Sequence, residues 1–376
     1  MTLRIDNINS NVLRFCREQI GLDLETVKAI IPKIELIEVG SHFPTLNQLD
    51  TLAKLYNVPR WVFISETIPE EYQFDKTVPA FRQFKKNNAD IFNEPKVRGL
   101  VAKVERLREL IIDFKSDEGE KFVEFDGPVI SEKTPPEIAA KAIRNWLGTS
   151  KNLEFKNWRK LLEEKGIFIF LTSKYIEWSH IEREILRGLA VYHPILPIII
   201  INDSDSKKAQ SFTLFHELCH LLKKENAINN WEYFYNNIEK WCDDVSGNFL
   251  MPCDEMKRSF SELSDTKELW KLAQKFHVSS YAYLVRCKRL DLIDQKTYEH
   301  FENLLTNEYK EIQRKLKESN VKIARNRSSE ILKQYGAIYT TTVFQAYYNQ
   351  EIGLNKLTKL LNVKNPSHVF EMERRL

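Results

Sequence analysis

Two histidines that flank a glutamate are the most chemically informative feature of the sequence. His216, Glu217 and His220 form an H-E-x-x-H pattern within the segment LFHELCHLL. On a helix, residues i and i+4 lie on one face, so both imidazoles can reach a single metal ion. The surrounding leucines and phenylalanine indicate a buried helix, and buried histidines need a partner. The pattern therefore predicts a zinc site held by His216 and His220.

A catalytic zinc ion needs a third protein ligand and an open fourth position. Glu239 is favoured as this ligand because it lies nineteen residues beyond His220, which leaves room for a second, antiparallel helix. Asp243 follows Glu239 by one turn. It is expected to accept the outer N–H of a zinc-bound histidine, because histidine ligands commonly donate their second ring N–H to a carboxylate. The other downstream carboxylates that remain open are Glu225, Glu232 and Asp244.

This arrangement predicts hydrolysis of a peptide bond. Zinc lowers the pKa of a bound water toward neutrality, and Glu217 is placed to accept the proton as general base and to deliver it later to the leaving amine. The group that stabilises the oxyanion is left open among His193, Tyr233 and Tyr235.

The elements before the motif must position it. The runs IFIFLT, GLAVYH and PIIIIN have strand character, and the last is a β-branched run of the kind that lies buried in a sheet. They lead directly into SFTLFHELCHLLKKE, the predicted zinc helix. Because helical spacing dominates the rest of the chain, the predicted fold class is α+β and mostly helical, with a small β-sheet packed on the zinc helix.

Changes of pattern along the chain predict five segments. These are a helical module at 1–70, a linker and long helix at 71–130, the zinc core at 131–257, a small helical subdomain at 258–305, and a basic helical extension at 306–376.

The composition limits which partners and which cellular compartment are expected. The net charge of +3 gives no global reason to expect nucleic acid or an acidic membrane as partner, and no apolar stretch approaches the length of a membrane span. The lack of such a stretch, and of the continuous apolar core of a signal peptide at the N-terminus, predicts a cytoplasmic protein. The five cysteines are scattered without a CxxC pair, which predicts reduced thiols. Cys219 and Cys242 are interpreted as packing residues.

The chain resembles the ImmA/IrrE family of metallopeptidases over about residues 135–295. The resemblance rests on PIIIIN, SFTLFHELCHLL and EKWCDDVSGNFLMP, and the ligand spacing is similar to that of thermolysin-like gluzincins. It implies that His216, His220 and Glu239 bind Zn²⁺ and that Glu217 is the catalytic acid and base. The implied substrate is a partner helix-turn-helix repressor or antitoxin, cleaved in a bacterial or phage stress, mobile-element or defence switch. The chain departs from the family at Ser211, where arginine is usual, and at Cys219, where glycine is frequent.

The N-terminal segment resembles the helix-turn-helix of lambda-repressor-like (XRE) proteins, notably at Glu38, Gly40 and Pro44. Residues 1–66 carry seven Lys or Arg against eight Asp or Glu, whereas DNA binding favours a basic face. A docking or substrate-recognition module is therefore favoured over a DNA-binding one.

The segment beyond residue 306 is basic, with thirteen Lys or Arg against seven Asp or Glu, and it contains five aromatic residues between positions 335 and 348. It could bind nucleic acid or an acidic partner. A helical cap whose aromatic rings pack a small core is favoured, since charged runs usually face water.

The predicted function is therefore a zinc-dependent endopeptidase. One alternative is a DNA-binding transcriptional regulator that uses the zinc fold as a sensor or scaffold. The other is a binding protein of a toxin–antitoxin or defence assembly, in which the metal is structural.

Overall fold

The computed structural model describes residues 4–73, 94–117, 119, 124–223, 231–318 and 326–376. These residues form two compact units. The first unit contains the described residues of 1–113 together with 174–186, and the second contains the described residues of 114–173 and 187–376. Part of the predicted linker, residues 74–93, lies outside the described chain. Within the described chain, no helix has the length and hydropathy needed to cross a membrane.

Short helices make up the beginning of the first unit. They are α1 (Ser10–Gln19), α2 (Leu24–Ile30), α3 (Ile34–Glu38) and α4 (Leu46–Leu55), followed by 3₁₀ turns at Arg60–Ile64 and Glu70–Tyr72. The side chains of Asn9, Asp23 and Thr45 accept backbone N–H groups at the helix starts, which satisfies donors that have no partner within the helix. The helix-turn-helix assignment of this module stays a prediction.

A bidentate ion pair joins the first and third of these helices. Arg17 on α1 donates to the buried Glu38 at the end of α3 through Nε at 2.7 Å and Nη2 at 3.0 Å. Such paired hydrogen bonds fix orientation as well as distance. The long helix predicted at about 97–115 extends over Pro95–Asp117 and is named α5.

The second unit is built around a three-stranded sheet. Its strands are β1 (Phe168–Leu171), β2 (Gly188–Val191) and β3 (Ile198–Ile201), which fall within the three runs predicted as strands. The spatial order is β1-β3-β2, with β1 parallel and β2 antiparallel to β3. Strand β2 therefore lies at one edge of the sheet.

Helices make up most of the rest of this unit. In chain order they are α6 (Pro136–Leu147), α7 (Phe155–Glu164), α8 (Lys207–Leu222), α9 (Trp231–Leu250), α10 (Cys253–Ser259), α11 (Thr266–Lys275), α12 (Ser280–Arg289), α13 (Gln295–Glu318), α14 (Arg327–Tyr348), α15 (Leu354–Leu360) and α16 (Ser367–Glu373). The predicted boundary at residue 305 falls inside α13. The mostly helical α+β fold with a small sheet is confirmed.

One face of the sheet packs on α8. Ile169 on β1 and Ile199 and Ile201 on β3 belong to the same buried cluster as Leu214 and Phe215 of α8. Alternate residues of a strand point to opposite faces, so these isoleucines all point toward the helix. Phe215 also stacks on Phe249 of α9, with ring centroids 3.8 Å apart, which ties the two helices together.

The other face of the sheet packs on α14. Phe168 stacks against Tyr339 with ring centroids 6.4 Å apart, and Phe170 meets Tyr335 edge-on at 5.8 Å. Tyr335, Tyr339 and Phe344 are buried. These three rings are thus part of the core, whereas Tyr348 is exposed. Helix α14 is an integral layer of the second unit.

Candidate metal centre

Helix α8 carries the H-E-x-x-H residues, and five residues separate its start from the end of β3. Ser206 caps its first turn by accepting the backbone N–H of Ala209. The apolar residues around the motif, Leu214, Phe215 and Leu218, are fully buried. The local sequence thus fixes both the start of the helix and the side that packs against the sheet.

Helix α9 brings the third predicted residue to the two histidines. Glu239 Oε2 lies 3.0 Å from His216 Nε2, and Glu239 Oε1 lies 3.3 Å from His220 Nε2. The two histidine Nε2 atoms are 3.3 Å apart. Glu239 thus reaches both histidines, including His220, which lies later on α8. This contact is expected when α8 and α9 run antiparallel. Among the described residues, these three form the single group with metal-ligand geometry.

These separations suit a zinc ion. With Zn–N and Zn–O bonds of about 2.0–2.1 Å and tetrahedral angles, two ligand atoms should be about 3.3 Å apart. The two histidine Nε2 atoms are 3.3 Å apart, and they lie 3.0 Å and 3.3 Å from different oxygens of Glu239. Two imidazoles and one carboxylate also leave the fourth tetrahedral position to water or substrate, as in catalytic zinc sites. The donor set and its spacing therefore fit the ion.

Asp243 lies on the outer side of His216. Its Oδ1 atom is 2.9 Å from His216 Nδ1, the nitrogen that faces away from Glu239. A carboxylate at this point keeps the proton on Nδ1 and leaves Nε2 free to bind a metal ion. The structure thus brings Asp243 to the outer nitrogen of His216.

The three ligand candidates perturb one another's ionisation in the absence of metal. Burial lowers the pKa of His216, but hydrogen bonds to Asp243 and Glu239 outweigh this and raise it to about 11. Burial also lowers the pKa of His220, but contacts with Cys242 and Glu239 raise it to about 10. Burial raises the pKa of Glu239, yet the two histidines bring it to about 2. The metal-free site therefore holds protons that a cation would displace.

Glu217 occupies a different side of α8 from the histidines. It is buried, and its side chain packs against Gly188 of β2. Burial raises the pKa of this carboxyl group, while the neighbouring His220 and His216 lower it by a smaller amount. A carboxylate with a raised pKa beside a metal-ligand cluster is suited to exchange protons.

The other candidates lie apart from this cluster or outside the described side chains. Asp244 pairs with Arg289 instead. His193 is buried in the second unit. Residue 225 and the side chains at 232, 233 and 235 lie outside the described part of the chain.

Two contacts at the centre were not anticipated from the sequence. Burial lowers the pKa of His220 and Cys242 helps to raise it, so Cys242 borders the site rather than serving only as packing. Its position three residues after Glu239, on the same side of a helix, is a signal that could have found it. The contact of β2 with Glu217 has no comparable signal, because it joins segments that only the folded chain brings together.

A comparison with protein-family models agrees with this geometry. Residues 163–288 match Peptidase M78, the IrrE N-terminal-like domain. The matched region is about a third of the chain, and it contains the sheet, both site helices and all five residues of the predicted centre. It supports the resemblance to the ImmA/IrrE family and a metallopeptidase type of function. No curated protein matches the chain.

Proposed function

We propose that the chain is a zinc-dependent endopeptidase. The observation that carries the proposal is the convergence of His216, His220 and Glu239, whose ligand atoms lie within 4.8 Å of one another, beside the buried carboxylate of Glu217. A structural zinc site would use a fourth protein ligand. The described residues offer three, together with an acid suited to proton transfer.

The proposed roles follow from the contacts. His216, His220 and Glu239 hold the ion through Nε2, Nε2 and a carboxylate oxygen, and Asp243 orients His216 through Nδ1. When bound, zinc supplies a lowered pKa for water and polarises the carbonyl group that is attacked. Glu217 then takes the proton released from water and returns it to the nitrogen of the departing amine.

The substrate class is a further part of the proposal. The resemblance to ImmA/IrrE proteins favours a partner regulatory protein, such as a helix-turn-helix repressor or antitoxin, in a bacterial or phage stress, mobile-element or defence switch. The small helical module at the N-terminus is suited to bind such a partner. Its balance of seven basic and eight acidic residues gives less support to DNA.

Metal analysis and proteolysis of three variants test the proposal. Wild-type protein purified without chelator should contain about one zinc per chain by elemental mass spectrometry, and Glu239→Ala should lose it. Glu217→Gln should keep the metal but fail to cleave fluorescein-labelled casein or a candidate repressor encoded nearby. Asp244→Ala is the matched control, because its carboxylate lies on the same helix but pairs with Arg289. Cleavage by the Glu217 variant at the wild-type rate would refute the proposed mechanism.

A further inference from the structure

The edge strand β2 turns its two smallest residues toward the helix that carries the metal-binding motif. Gly188 pairs with Ile201 and Ala190 pairs with Ile199, both of which point toward α8. Since paired residues of neighbouring strands share a face, Gly188 and Ala190 also point toward α8. This part of β2 can therefore approach the helix more closely than a strand with larger side chains.

The approach at Gly188 leaves no room for a side chain. A Cβ atom built there would lie 2.5 Å from Thr213 Cγ2, 2.6 Å from Glu217 Oε1 and 2.9 Å from Glu217 Cγ. These separations are all shorter than van der Waals contact allows. Gly188 is not among the glycines with positive φ, so the reason for glycine here is space and not backbone conformation.

Glu217 is thus confined by close packing against β2, because its Oε1 and Cγ atoms lie where a side chain at position 188 would begin. The carboxylate is also buried, so the packing at this point decides where it lies.

We infer that Gly188 is a positioning residue, whose missing side chain sets where the Glu217 carboxylate sits relative to the metal ligands. The inference rests on the proposed role of Glu217 as general base. A methyl group at position 188 would push against two side-chain ends, which can rotate away. The expected result is a folded protein with a displaced carboxylate, and displacements of about 1 Å can cost about a hundredfold in rate.

Binding of acetohydroxamate to the zinc-loaded full chain tests this without relying on turnover. A hydroxamate chelates the metal ion and donates a hydrogen bond to a neighbouring carboxylate, so its affinity reports where Glu217 lies. Losing a charge-assisted hydrogen bond should raise the Kd about tenfold or more. We expect this increase, measured by calorimetry, in Gly188→Ala, with zinc content unchanged. Gly247→Ala is the control. Gly247 lies on the helix that carries Glu239, and a Cβ atom built there meets nothing within 4 Å.

A second pair of variants tests the cause. Glu217→Asp withdraws the carboxylate by one methylene group, which removes the collision with Cβ. Adding Gly188→Ala to Glu217→Asp should therefore change the Kd by less than about twofold. If the two losses multiply instead, Gly188 acts through another route and the inference is wrong. Should Gly188→Ala alone fail to fold, Thr213→Ser combined with it removes the closest contact, and the same tenfold loss is expected in that protein.

The outcomes separate the two proposals. Equal Kd values for wild type and Gly188→Ala would overturn the positioning role and leave the peptidase proposal intact. A zinc-loaded wild type that does not bind acetohydroxamate would overturn the open catalytic metal position, and both proposals with it. For cleavage of labelled casein, a displaced general base predicts a kcat about 10- to 100-fold lower with KM within about twofold.

Discussion

A single methyl group at Gly336 is expected to destabilise the second unit by about 4–8 kcal/mol. This glycine has φ 76° and ψ −179° within α14, a backbone region that is essentially restricted to glycine and costs other residues about 1–3 kcal/mol. A Cβ atom there would also lie 2.2 Å from Glu163 Oε1 and 2.3 Å from Arg159 Nη2.

The second part of the loss of stability comes from the ion pair between Arg159 and Glu163, which the methyl group would force apart. Arg159 and Glu163 are both buried, with Nε and Oε1 2.7 Å apart, and Glu163 accepts the backbone N–H of Ala337. Arg159 also donates to the carbonyl oxygens of Ile169 on β1 and Lys333 on α14. Separating a buried pair costs about 3–5 kcal/mol, because each charge then lacks its partner. The sum is comparable with the whole stability of a typical domain, about 5–15 kcal/mol.

Urea denaturation of the zinc-loaded chain, followed by circular dichroism, measures the change in the free energy of unfolding. Gly247→Ala is the matched control and should be neutral or more stable by about 0.5–1 kcal/mol, since alanine favours a helix. If the free energy of unfolding of Gly336→Ala lies within about 1 kcal/mol of the wild-type value, the buried ion pair that links α14, α7 and β1 does not contribute to stability as described. A large loss would show that the C-terminal extension is needed for the stability of the unit that holds the metal centre.

Three further predictions concern the metal centre itself. Glu217→Gln should retain zinc and lower the rate of proteolysis by about 10²–10⁴-fold, measured against wild type with the same casein probe; an unchanged rate would contradict its role. Asp243→Asn should weaken zinc binding about 10- to 100-fold in a chelator competition, because the amide no longer holds His216 as a carboxylate does, and an unaltered affinity would show that the contact is incidental. In the metal-free chain, the raised pKa values of His216 and His220 stabilise the fold below about pH 6.5, and this contribution is lost as pH rises through about 10 and 11. The melting temperature of the metal-free chain should therefore fall between pH 7 and pH 11 by more than that of the zinc-loaded chain, and equal changes would refute the argument.

Local spacing was sufficient to predict much of the centre. The i, i+4 relation of His216 and His220 is a property of any helix, so their shared face follows from the sequence alone. The same reasoning relates Glu239 to Asp243 across one turn of α9. The alternation and β-branching of three short runs likewise predicted the strands, because these patterns suit a buried sheet.

Contacts between distant segments could not be predicted in this way. Nothing in the sequence around Gly188 indicates that it packs on Glu217, since the two meet only when β2 lies beside α8. The same holds for position 336. It requires glycine because the ion pair between Arg159 and Glu163, more than 170 residues earlier in the chain, lies against it in the fold.

The sequence by itself determined the mostly helical α+β class, the H-E-x-x-H pattern and a short set of candidate metal ligands. The tertiary structure decided which acid meets the two histidines, that β2 confines Glu217, and that the basic extension packs Tyr335 and Tyr339 on the sheet. The physical reason is that helical and strand periodicity act over a few residues, whereas ligand spacing and close packing depend on how whole elements are placed.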